Sequence, residues 1–179
     1  MLIKHIKYYL REFIFDWFPK LMKVVLVLCL AGLTALMFSE VWLRYILHLP
    51  LLWVEEVVVI PAFWLYMLGA SYGSYDRSHI KVEIIDVLVK SENRRLTSHI
   101  ITAIVTLALA VLFLFWASSF FIWDLSVDAR TKLLQIPMMW ARSSIFVGAI
   151  LMVFYFSVEL VDLVGQRFGK PPLFQRGQG

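Results

Sequence analysis

The chain has 179 residues, 61% of them hydrophobic, a formal net charge of +4 and a mean hydropathy of +0.78. A water-soluble fold of this size could not cover so many apolar atoms, so lipid is the expected solvent. The basic balance does not point to nucleic acid, because Lys and Arg are not gathered into a groove or stripe. The single cysteine, Cys29, excludes an internal disulfide and any chemistry that needs a cysteine pair.

In chain order, the segment from Ile3 to Phe18 is amphipathic. Ile3, Ile6, Tyr9, Leu10, Phe13, Ile14 and Trp17 share one helical face, opposite Lys4, His5, Lys7, Arg11, Glu12 and Asp16. This predicts a helix lying in the headgroup plane, as a unit of residues 1–20 before a four-helix transmembrane domain of residues 21–179. The first spanning window is about residues 22–41. A cleaved signal peptide is the competing reading, but no small-residue cleavage site closes the apolar run that ends at Ser39, and Glu40 and Arg44 follow that run. Glu40 and Arg44 have ion-pair spacing, and the short connection through His48 and Pro50 brings Arg44 near Trp53-Val54-Glu55-Glu56. A salt-bridge network that fixes the helix ends is expected there, with Arg142 on the same side.

The second window, 57–75, contains Pro61, which removes a backbone donor and is expected to bend the helix. Residues 79–90 then place His79, Glu83, Asp86 and Lys90 on one face of a second interfacial helix. A short strand from Ile80 to Ile84 is disfavoured by the cost of an unpaired edge beside lipid. The third and fourth windows are 101–122 and 143–164. The expected class is thus an all-α membrane protein with four transmembrane helices and two amphipathic interfacial ones.

Small residues recur along the spans: Ala31, Ala35 and Ser39 in the first, Gly69 and Gly73 with Ala70 and Ser74 in the second, Ala103, Thr106, Ala110 and Ala117 in the third. Such stripes let helix backbones approach closely where lipid removes the hydrophobic drive. Either all are used inside a four-helix bundle, or at least one faces another protein. Thirteen of the seventeen Lys and Arg residues fall in the two terminal segments and the middle connection, Lys23 being grouped with the N-terminal one. Both termini are therefore expected in the cytoplasm.

The windows lack ionisable residues at mid-membrane, where a solute or proton path would need them. Near the end of the fourth, Glu159 and Asp162 are expected to be neutralised by Lys23 or Arg77. His5, His48, His79 and His99 lie at boundaries, which disfavours haem ligation. No nucleophile with a paired base, metal-ligand spacing or phosphate loop is present, so no enzymatic activity, catalytic residue or bound cofactor is expected.

Arg44-Tyr45, Trp53-Val54-Glu55-Glu56, Gly69-Ala70-Ser71 and Arg77-Ser78-His79-Ile80-Lys81-Val82-Glu83, in that order, resemble the small membrane subunit of tripartite ATP-independent periplasmic (TRAP) transporters, the DctQ-like family. Ile136-Pro137 and Trp140 continue the likeness more faintly, and Ala141-Arg142-Ser143 departs from it where a more apolar start to the helix is expected. The resemblance implies a bacterial inner-membrane scaffold. Its partners would be a large membrane subunit that holds substrate and sodium, a periplasmic substrate-binding protein that delivers an organic anion, and membrane lipid. It further implies that Arg44, Glu55 and Glu56 order the outer rim, that Trp53 and the small-residue stripes help hold the large subunit, and that Arg77 and His79 belong to the inner corner after span two. A stand-alone small transporter or channel, and a membrane anchor for another complex, are the alternatives.

Overall fold

The computed structural model describes residues 17–48, 52–76 and 92–168. The two interfacial helices expected at 3–18 and 79–90 lie outside those residues, apart from Trp17 and Phe18, and so do Arg77 and His79. The described residues form four helices: α1 (Phe18–Ile46), α2 (Leu52–Asp76), α3 (Glu92–Val127) and α4 (Met139–Arg167). Each is long and apolar enough to cross a membrane. They contain the four expected windows. α3 overruns its window most: at 36 residues it extends about 54 Å. Pro19 sits in the first turn of α1, where its missing N–H costs nothing. α2 runs through Pro61 as one helix. Among the described residues there is no strand, only an isolated antiparallel bridge between Arg130 and Pro137.

The helices form an open row rather than the expected closed bundle. α1 packs on α2, α2 on α4, and α4 on α3. Water would force such a row to close around its apolar faces. Lipid does not, because acyl chains solvate those faces as well as leucine does.

Side-chain pairings give the directions. Trp64 meets Trp140, Ser71 meets Gly148 and Tyr75 meets Tyr155, so residue numbers rise together and α2 and α4 are parallel. Asp124 meets Arg142 and Thr97 meets Arg167, so α3 and α4 are antiparallel. The α1–α2 and α3–α4 connections therefore lie at one end of the row, called here the loop end.

Two seams hold the row together. Ala103, Ala110, Ala117 and Asp124 of α3 are buried at intervals of seven, as are Ala141, Gly148, Tyr155 and Asp162 of α4. A seven-residue repeat keeps one stripe of a helix on its partner along the whole contact: the α3 stripe turns to α4, where Asp124 meets Arg142, while the α4 stripe turns to α2, with Gly148 on Met67 and Tyr155 against Tyr75. Alanines on α3 bring the backbones close, and Phe121 and Phe146 stack beside the seam with centroids 5.0 Å apart. The second seam joins α1, α2 and α4 around Met22, Leu68 and Tyr155, with Leu26, Trp64, Tyr72 and Leu151 packed against them.

Candidate functional site

The tightest helix contact is at Gly148. A Cβ there would meet the Met67 Cβ at 2.9 Å and the Met67 carbonyl oxygen at 3.1 Å, so α4 accepts only glycine without displacing α2. The gap is closed by Ser71, whose hydroxyl lies 2.8 Å from the Met67 carbonyl and 3.1 Å from the Gly148 carbonyl, within donating reach of both. The indole N–H of Trp64 donates to the Trp140 carbonyl at 3.0 Å, tying α2 to the first turn of α4. Together they lock the axial register of α2 against α4.

The α3–α4 connection is a folded element. Thr131 N–H donates to the Ile136 carbonyl and Met138 N–H to the Ala129 carbonyl, while the Thr131 hydroxyl accepts from Ile136 N–H. Asp128 and Gln135 take left-handed backbone conformations, with φ of 41° and 54°, to make the bends. The tip is held by Glu56 of α2, whose two carboxylate oxygens accept from the N–H groups of Leu133 and Leu134 at 2.7 and 2.8 Å. Charge-assisted bonds of this kind are about twice as strong as neutral ones. Asp128 pairs with Arg130 within the same loop.

Below the loop, Arg142 donates to Asp124, whose side chain is almost fully buried, and the guanidinium also stands over the Phe120 ring. The second oxygen of Asp124 is buried and has no hydrogen-bond partner among the described residues. This pair corrects the expected rim network. Arg142 turns to α3, Glu56 turns to the loop backbone, and neither meets Arg44. Arg44 and Glu55 are exposed, and among the described residues Glu40 and Arg44 form no ion pair with each other or with Glu55 or Glu56. Geometry explains the change: a backbone N–H pair offers a carboxylate two donors already fixed in place, whereas an Arg44 pair would have to immobilise a long exposed side chain. The departure noted at Ala141-Arg142-Ser143 is explained at the same time, because Arg142 is the cation that Asp124 requires.

The small-residue stripes divide. Those of α2 and α3 are internal: Ser71 and Ser74 are buried and a Cβ at Gly69 would lie 3.9 Å from Leu26 of α1, with Gly73 half-buried on the same helix. Ala31, Ala35 and Ser39 of α1 are exposed, and a Cβ at Gly32 beside them would meet no other described residue within 4 Å. The Thr34 and Ser39 hydroxyls donate to carbonyls of their own helix, so this face shows no unsatisfied donor to lipid or protein. At the loop end each helix carries an exposed tryptophan near its terminus: Trp42, Trp53, Trp123 and Trp140. That is the composition of a membrane–water boundary.

Among the described residues no three or more His, Cys, Asp or Glu side chains gather closely enough to hold a metal ion. Sequence reasoning missed Asp124. The signal was available in the seven-residue spacing from Ala103 through Ala117, which lands on Asp124 one turn before the helix ends.

A family model matches residues 33–166, well over half of the chain: it is that of the DctQ component of tripartite ATP-independent periplasmic transporters. No curated protein matches the chain.

Proposed function

The chain belongs to the DctQ family of tripartite ATP-independent periplasmic transporter components, and on that footing we propose that it is the scaffold subunit of a sodium-coupled uptake system for an organic anion. In this reading a large membrane subunit carries substrate and sodium, and a periplasmic binding protein delivers the anion. The chain itself holds no cofactor and sits in the bacterial inner membrane. The Lys and Arg distribution supports cytoplasmic termini, which puts the loop end in the periplasm.

One observation carries the scaffold role: among the described residues, the buried polar side chains Asp124, Ser71 and Ser144 bond within the chain, the first two across helix pairs. Arg142 and Asp124 join α4 to α3, Ser71 bridges α2 and α4, and Ser144 donates back to its own helix. A translocation path would instead need ionisable groups facing a hydrated route. With the stripes of α2 and α3 used internally, the α1 stripe of Ala31, Ala35 and Ser39 is the one left for the large subunit. In this reading exposed Arg44, Trp53 and Glu55 would help dock the binding protein, and Arg77 and His79 would anchor the cytoplasmic corner after span two.

Uptake of a labelled organic anion into vesicles under a sodium gradient tests this. The complete set of components is expected to transport and this chain alone to transport nothing. Uptake by the isolated chain would establish the stand-alone carrier instead. Purification from its own membrane with a redox or signalling complex as the largest partner would establish the anchor.

A further inference from the structure

We propose that the tip of the α3–α4 connection is a lipid anchor, with Leu133 and Leu134 seated in the headgroup layer of the leaflet at the loop end and Lys132 placed for lipid phosphate. The height of the tip comes from its clasp. Both leucine N–H groups are bonded to Glu56, which lies one residue outside the apolar window of α2, so the loop is drawn back to the hydrocarbon edge instead of projecting into water.

The base of the loop lies deeper. Trp64 reaches the first turn of α4, and Trp64 is eight residues further along α2 than Glu56, about 12 Å. The connection therefore fills a step between the end of one hairpin and that of the other, at the height where headgroups pack.

The side chains agree with that height. Leu133 is 57% and Leu134 42% exposed on a backbone that their own hydrogen bonds hold still. Two adjacent exposed leucines on a fixed tip are costly in water, because apolar surface gains by leaving it. Trp53, about one turn before Glu56 on α2, is exposed, and so is Lys132 beside the leucines. Apolar tip, an indole near the clasp and a neighbouring cation match the boundary of a phospholipid leaflet, where acyl chains, carbonyls and phosphates follow one another outward. A docking surface for a water-soluble protein would have to stand clear of that layer.

The test places a single environment-sensitive fluorophore on Leu133→Cys or Leu134→Cys in a Cys29→Ala background. The full chain is reconstituted, alone and with its large subunit, in phosphatidylethanolamine–phosphatidylglycerol vesicles. A nitroxide carried near the lipid headgroup should remove most of the emission at both positions, while iodide supplied on both sides should remove little. Lys132→Gln should weaken the lipid quenching in phosphatidylglycerol vesicles and leave it unchanged in phosphatidylcholine vesicles. Quenching by iodide instead of lipid would overturn the proposal. So would protection from both quenchers on adding the large subunit or the binding protein, which would assign the tip to a protein partner. Neither result depends on whether the chain serves as a transporter scaffold.

Discussion

The α3–α4 hairpin and α1 are both apolar helical elements of the same chain, but they spend their small residues in opposite ways. In the most apolar window of α4, 28% of residues are buried inside the chain, against 6% for α1. Along α3 the small residues face α4 at intervals of seven, and the pair is pinned at the loop end by a buried ion pair. Along α1 the small stripe faces away from the chain. In water that difference would mark α1 as unstable. In lipid it marks α1 as available, because close-packed protein contact is the main gain one helix can offer another over an acyl chain.

The contrast can be broken from the hairpin side first. Arg142→Ala would leave the Asp124 carboxylate buried without its cation, and losses on breaking a buried pair are about 3–5 kcal/mol. Detergent-solubilised protein should show a large fall in unfolding midpoint, partly restored by adding Asp124→Asn. An unchanged midpoint would mean that the pair is open in the membrane. A smaller effect is expected at the α2–α4 crossing. Gly148→Ala pushes a methyl group against the Met67 backbone, and overpacking of this kind costs about 1–3 kcal/mol; the same unfolding measurement checks it. Smaller still is Glu56→Gln, which keeps one acceptor but turns an N–H₂ group toward a backbone donor. The Leu133 and Leu134 amides should exchange hydrogen faster, while amides along α3 and α4 should not change.

Much of the architecture was legible in the sequence because it depends on local composition. All four helices appear as apolar windows of spanning length with charges only near their ends, and the stripes on α2 and α3 are visible as spaced small residues. The row order was not legible. It depends on which stripes meet, and Gly148, which decides the α2–α4 contact, looks in the sequence like any glycine in a span. Glu56 stood out as half of an acidic pair, yet its partners are backbone N–H groups, which leave no mark on residue identity. Asp124 was hidden for another reason. It falls just past the apolar window that ends at Ile122, so it reads as a boundary charge until the heptad is followed to its end. Arg44 shows the reverse error, since helical spacing from Glu40 permits an ion pair but cannot make two exposed side chains form one.

The central claim, that α1 presents its small-residue face to another polypeptide, is tested most directly by replacing Ala31 and Ala35 together with leucine and measuring both unfolding and co-purification. Both residues are exposed among the described residues, so a leucine at either has room within the chain. The unfolding midpoint should therefore stay within the range of surface substitutions, about 0.5 kcal/mol. The account predicts that the large membrane subunit no longer co-purifies and that sodium-driven uptake is lost with it. Full co-purification and full uptake by the doubly substituted chain would contradict it and return the α1 face to lipid.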